Sequence, residues 1–139
     1  MQAFHPQLVV FVKEPQAGRV KTRLARGIGA ARAAAFYRHT TATVVARLAA
    51  DPRWRTVLAV APDAALASRA WPSSFDRVGQ GGGDLGRRLE RVMDGLPPGP
   101  VVIVGTDIPA IRPGHIAGAL RQLGAAHAAC GVLGCGAMA

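Results

Sequence analysis

A chain of 139 residues sets the expectation of one domain, large enough to bury a core of its own. Half of it is hydrophobic but only 5% is aromatic, so the core should be built from Val, Leu, Ile and Ala; no apolar run reaches the roughly 18 residues that span a bilayer. The 17 basic residues against 8 acidic ones leave a net charge of +9, which raises nucleic acid as a partner, although lysine appears only as Lys13 and Lys21 and the scattered aromatics offer no stacking platform.

The N-terminal MQAFHPQLVVFVKEP has no cationic leader and no small-residue cleavage site, which sets a cytoplasmic expectation. Leu8 to Val12 reads as a short, continuously apolar, buried strand. A charged bend follows, with Lys13, Arg19, Lys21 and Arg23 set against Glu14. From Gly29 to Ala50 the spacing of Ala35, Phe36, Thr40, Val44 and Leu48 predicts a helix, stopped by Asp51-Pro52. TVLAVA at 56–61 is a second apolar strand; Pro62-Asp63 opens a short helix over 64–70, and 75–78 is a third, weaker strand. After the turn Gln80-Gly81-Gly82-Gly83, residues 84–96 read as a helix with Leu85, Leu89 and Val92/Met93 on one face. Pro97-Pro98-Gly99-Pro100 ends it, Val101 to Val104 is another buried strand, and Pro113 suits the first turn of a helix through about Leu123.

Apolar runs alternating with helical patterns predict βαβ units: a mostly parallel sheet between two layers of helices, a three-layer α/β/α domain over 1–124. The segment 125–139 is an atypical Ala/Gly-rich tail without periodic pattern. Its Cys130 and Cys135, even with His127, form neither a disulfide framework nor a zinc pattern.

In an open parallel sheet, ligands bind beyond the carboxyl ends of the strands, at a topological switch point. That rule selects the basic bend, the turn at 80–84 and Gly105-Thr106-Asp107, each following a strand and all opening on one edge. The bend suits phosphate. Gly18 lets backbone amides approach an anion, Arg19 and Arg23 supply forked donors, Lys21 supplies a compact charge, and a helix starting just beyond adds its positive end. It is neither a Walker A loop nor a G-x-G-x-x-G fingerprint; the plainer alternative is a solvated charged loop. Asp107, after four buried aliphatic residues, suits Mg²⁺ or Mn²⁺ bridged to substrate phosphates, or else a helix cap. Asp84 has the position of an N-cap. His5, His39 and His115 have no matched nucleophile spacing, and no Ser lies in a G-x-S-x-G elbow, so covalent hydrolysis is not expected.

Three segments in register, VVFVKEPQAGRVKTRLA, Gln80 with GGGDLGRRL, and VVIVGTDIPAIRP, resemble the glycosyltransferase-like family also described as radical-SAM/selenodomain-associated transferases. That family is similar to the phospholactate and molybdenum-cofactor guanylyltransferases, and all resemble the Rossmann-like nucleotide-diphospho-sugar transferase (GT-A-like) fold. The resemblance implies a transferase using a nucleotide or nucleotide-sugar donor, of glycosyl or nucleotidyl type, with a small-molecule acceptor. Lys13, Arg19, Lys21 and Arg23 would face the phosphates, and Gln80 and Asp84 the nucleoside. Asp107 would hold Mg²⁺ or Mn²⁺, which makes Asp107 and Lys21 the candidate catalytic residues. Related chains continue after the position of Gly124 with a G-P-x-x-D-G-G-Y-W-L-like segment, so the fold is expected to be incomplete at the C-terminus. A non-catalytic nucleotide-binding module and a basic nucleic-acid binder are the alternatives.

Overall fold

The computed structural model describes residues 5–72, 74–106, 109–125, 131–133 and 136–138. In chain order the elements are β1 (Gln7–Lys13), α1 (Thr22–Ile28), α2 (Ala30–Ala49), β2 (Arg55–Ala61), a 3-10 turn (Asp63–Ala67), β3 (Asp76–Gly79), α3 (Leu85–Asp94), β4 (Val101–Val104) and α4 (Pro113–Ala125). They are followed by β5 (Gly131–Leu133) and β6 (Gly136–Met138).

The first four strands form one parallel sheet in the order β3-β2-β1-β4. Val10 of β1 sits opposite Leu58 of β2 on one side and Val104 of β4 on the other. The strands are continuously apolar because both faces are covered, and the period-2 alternation divides their side chains between two layers. Leu8, Val10 and Val12 pack with Leu58, Val60 and Val104 under Val44, Val45 and Leu48 of α2 and Ile116 of α4. Val9, Val57, Ala59 and Ile103 face the opposite way and meet Val92 and Leu89 of α3. The α/β sandwich expected from the sequence is therefore the observed fold.

The strand and helix expectations fall on observed elements, the short helix over 64–70 as a 3-10 turn, but the helix faces agree only in part: Val44, Leu48, Leu89 and Val92 face the core as expected. On α2 the buried set is Ala33, Ala34, Tyr37, Thr41, Val44, Val45 and Leu48, while Phe36 is 49% exposed. In an Ala-rich helix, alanine carries so little apolar area that the stripe can be drawn one position out of phase, as it was at Ala35-Phe36. On α3 Val92 is buried and Leu89 packs against the core, whereas Leu85 and Met93 are 63% and 50% exposed. The basic bend also contains a short helix of its own, α1, separated from α2 by Gly29 at φ +92°. Trp54, at the far end of α2, donates its indole N–H to the Leu48 carbonyl at 3.0 Å and so satisfies one of the acceptors left open where the helix stops.

The tail contains an antiparallel pair, with Gly131 opposite Met138 and Leu133 opposite Gly136. Two strands of three residues are too short to show alternation in a sequence of Ala and Gly. His127, Cys130 and Cys135 lie outside the described residues. Among the described residues, no helix is long and apolar enough to cross a membrane.

Candidate functional site at the carboxyl edge of the sheet

Because the four strands run parallel, the segments that leave β1, β3 and β4 emerge on one edge. β1 is followed by β2 on one flank, and β4 returns to the other flank, so the connectivity reverses between β1 and β4. That is the switch point, and the two segments flanking it are the basic bend and Gly105-Thr106. They are fastened to the same helix: Tyr37 of α2 accepts from Lys13 N–H in the bend, and one turn on Thr41 donates its hydroxyl to Thr106 Oγ1 at 3.5 Å, both threonines being buried. Asp107 lies outside the described residues, one position beyond Thr106.

The bend is held at three points. Glu14 N–H donates to the Ala61 carbonyl at 2.9 Å, which joins its start to the end of β2. Lys13 N–H donates to the Tyr37 hydroxyl oxygen at 2.8 Å, which joins it to α2. Val20 is buried against Ala34 and Tyr37. Between these anchors Gly18 takes φ +85° and Lys21 takes φ +49°, the left-handed region. Lys21 is the only non-glycine residue among the described ones with positive φ. A side chain there costs on the order of 1–2 kcal/mol relative to the ordinary right-handed form. The anchored bend leaves the side chains of Lys13, Arg19 and Arg23 exposed and Lys21 half-buried. Lys21 also begins α1, with no side-chain cap; at seven residues that helix contributes little dipole, so side-chain charge, more than the expected helix end, makes this segment attractive to anions.

An apolar cavity of about 100 Å³ lies behind the bend, between α2 and the segment entering β3. Pro15, Tyr37, Val45, Leu58, Trp71 and Phe75 contribute to its wall.

The third segment, at 80–84, has a tighter construction. Gln80 is 4% exposed. Its amide donates to the Val12 carbonyl at 3.1 Å and to the Ala59 carbonyl at 2.8 Å, and its Oε1 accepts from Arg88 at 3.2 Å. Both amide hydrogens and the carbonyl are thus engaged inside the protein, and Gln80 ties the ends of β1 and β2 to α3. Asp84 is the N-cap of α3, accepting from Arg87 N–H at 2.9 Å. Asp63, at the start of the 3-10 turn, accepts from Gly81 N–H at 3.0 Å. The roles of Gln80 and Asp63 come from side chains meeting backbone across long sequence separations. Only the Asp84 cap had a local signature, Asp followed three residues later by a helical N–H. The contributions of Tyr37, Asp63, Arg88 and Arg91 were not foreseen; two arginines one turn apart just after a glycine run were the available sign.

A resident divalent ion would need oxygen ligands at this edge. Among the described residues, no three His, Cys, Asp or Glu side chains gather as a metal site. The rim carboxylates Asp63 and Asp84 are both engaged by backbone N–H groups. Glu14 lies in the bend itself, and Asp107, the acid expected to hold a cation, lies outside the described residues.

The parallel sheet, its switch point and the basic bend define an α/β fold of the nucleotide-diphospho-sugar transferase type. A crystal structure described as a "putative nucleotide-diphospho-sugar transferase" from Desulfovibrio desulfuricans G20 superimposes with a TM-score of 0.76 at 32% identity, covering 86% of this chain and 55% of that one. The chain belongs to the family described as uncharacterized proteins conserved in bacteria (DUF2064), whose model matches residues 43–136. Rv0371c from Mycobacterium tuberculosis H37Rv shares the fold at a TM-score of 0.52 and 18% identity, with 89% of this chain and 62% of that one covered. The chain thus spans 55% and 62% of the lengths of these two proteins. No curated protein matches it. The family match begins after the basic bend and extends beyond Gly124 into the tail.

Proposed function

We propose that the chain carries the nucleotide-binding part of a transferase that uses a nucleotide-activated donor, and that a divalent cation assists it. The observation that carries this reading is the convergence, on one sheet edge, of an anchored bend bearing Lys13, Arg19, Lys21 and Arg23 with the segment leading to Asp107. The likeness to the Desulfovibrio protein supports the transferase class, and a nucleotide-sugar donor fits it.

Transfer from such a donor breaks the bond to a diphosphate or phosphate leaving group, so negative charge grows on oxygen. Arg19 and Arg23 offer paired N–H donors to those oxygens, while Lys13 and Lys21 add compact charge. The anchors at Tyr37 and Val20 fix the bend before the ligand arrives, which reduces the ordering that binding must supply. Mg²⁺ or Mn²⁺, held by Asp107, would neutralise further phosphate charge. The same arrangement serves glycosyl or nucleotidyl transfer to a small acceptor, since both place charge on phosphate oxygens of the leaving group, a nucleoside phosphate in the first and pyrophosphate in the second.

Because the chain spans 55% of the similar Desulfovibrio protein, binding is tested before turnover. Calorimetric titration with ATP, CTP, GTP and UTP in Mg²⁺ is expected to show binding of at least one. Removing the metal with a chelator is expected to weaken it about tenfold or more, equivalent to ~1.4 kcal/mol or more. Asp107→Asn should abolish the metal-dependent part. Binding that is indifferent to both changes removes the metal role, and no binding of any of the four removes the nucleotide reading.

A further inference from the structure

The glycine turn after β3 is gripped from both sides by side chains that neither the family match nor the fold accounts for. Arg91 Nη1 donates to the carbonyls of Gln80 at 2.8 Å and Gly82 at 2.9 Å. Arg88 Nε donates to the Gly83 carbonyl at 2.9 Å, and its Nη1 reaches Gln80 Oε1 at 3.2 Å. From the other side Asp63 accepts the Gly81 N–H at 3.0 Å. Helical side chains lean toward the N-terminus, so arginines in the first two turns of α3 reach back over the turn that precedes it.

Glycine is required by this grip. Gly81 and Gly83 adopt φ +73° and +97°. A Cβ on Gly81 would overlap the Arg91 guanidinium, and one on Gly79 would overlap the Asp63 carboxylate. Neither arginine is in an ion pair among the described residues, where the pairs found are Arg53–Asp51 and Arg55–Asp76. Their charge therefore stays at the glycine turn.

We propose that Arg88 and Arg91 are positioning residues that set the shape and polarity of the turn forming the nucleoside side of the site. The inference rests on the nucleotide reading above. The carbonyls of Gln80, Gly82 and Gly83 are taken by guanidinium groups. The N–H groups of Gly82 and Gly83 enter no hydrogen bond among the described residues. With three of its four carbonyls taken, that of Gly81 being the exception, the turn so held offers a ligand mainly the Gly82 and Gly83 donors, which suit base carbonyl or phosphate oxygens. Releasing the arginines would return competing carbonyls to the rim and let the glycines sample other conformations.

The test compares wild-type protein with Arg88→Met, Arg88→Lys, Arg91→Met and Arg91→Lys by amide hydrogen exchange and by nucleotide titration. Exchange of the Gly81 amide is expected to quicken by about tenfold in both Met variants while the β2 amides keep their protection, showing an intact fold. Arg91 serves both acceptors from one nitrogen, which a lysine ammonium with three donors can imitate; Arg88 uses two nitrogens, which lysine cannot. Arg91→Lys should therefore lie nearer wild type than Arg88→Lys. A general charge effect on phosphate would instead leave both Lys variants near wild type, and that result overturns the proposal. Nucleotide affinity should fall by about tenfold in the Met variants. Faster Gly81 exchange with unchanged affinity also overturns it, as does unchanged exchange. If wild-type protein binds none of the four triphosphates, the nucleotide reading falls, and with it the ligand role; the exchange data then decide by themselves whether the grip exists.

Discussion

Gln80 has a structural role that its residue type does not announce. The family resemblance implies that it lies near the nucleoside; its amide is engaged with Val12, Ala59 and Arg88. A buried amide with every group satisfied specifies one arrangement of the chains around it, and replacing it leaves carbonyls in the interior without donors. Gln80→Leu is expected to destabilise the protein by about 1–3 kcal/mol, the range for orphaned buried polar groups, as measured by denaturant unfolding. A change below about 0.5 kcal/mol would mean that water or neighbouring groups replace the amide. Lys21 presents the converse case. Nothing in the residue type announces a left-handed backbone, since lysine has no preference for it, and the conformation is set by Val20 packing on one side and α1 on the other. Backbone strain of this sort gathers at functional sites, which accords with placing Lys21 among the phosphate contacts.

At the scale of elements, strands were the most legible part of the sequence. A parallel strand covered on both faces must be apolar without interruption, so Leu8 to Val12 and Val101 to Val104 announce themselves. Helix α2 was legible in extent, because Gly29 and Asp51-Pro52 bracket it, but not in orientation. Alanine on every face blurs the stripe, and Phe36, the largest purely apolar side chain in the segment, points away from the core. The observed face makes a prediction that separates it from the expected one. Leu48→Ala, in the core, should cost about 2–5 kcal/mol, whereas Phe36→Ala should cost less than about 1 kcal/mol. Equal losses in an unfolding titration would place Phe36 in a packed environment and contradict this orientation of α2. The clamp on the glycine turn was illegible for a different reason: it depends on how far two arginines lean back from α3 and on Asp63 arriving from another connection, distances that no local pattern encodes.

For the whole molecule, the arrangement of charge matters more than its total. Away from the candidate edge, two acids have basic partners: Asp51 pairs with Arg53, whose hydrogen bonds hold its carboxyl below the usual range, and Asp76 pairs with Arg55 at the opposite edge of the sheet. At the candidate edge Asp63 and Asp84 are engaged by backbone N–H groups, and the arginines of α3 are turned onto carbonyls of the glycine turn. Sequence order could place the bend and Asp107 on one edge because the parallel βαβ rule leaves little freedom; it could not show how Tyr37 and Thr41 fasten that edge to α2. The central claim, that this edge takes up a metal–nucleotide pair, is tested most directly by paramagnetic broadening. Titrating Mn²⁺ with the nucleotide that calorimetry selects should broaden the backbone amide signals of Lys13 to Val20 and of Gly105 and Thr106, and leave Gln7, Arg55 and Val101 at the far ends of the strands sharp. Broadening concentrated at those far ends, or spread evenly over the chain, would contradict the account.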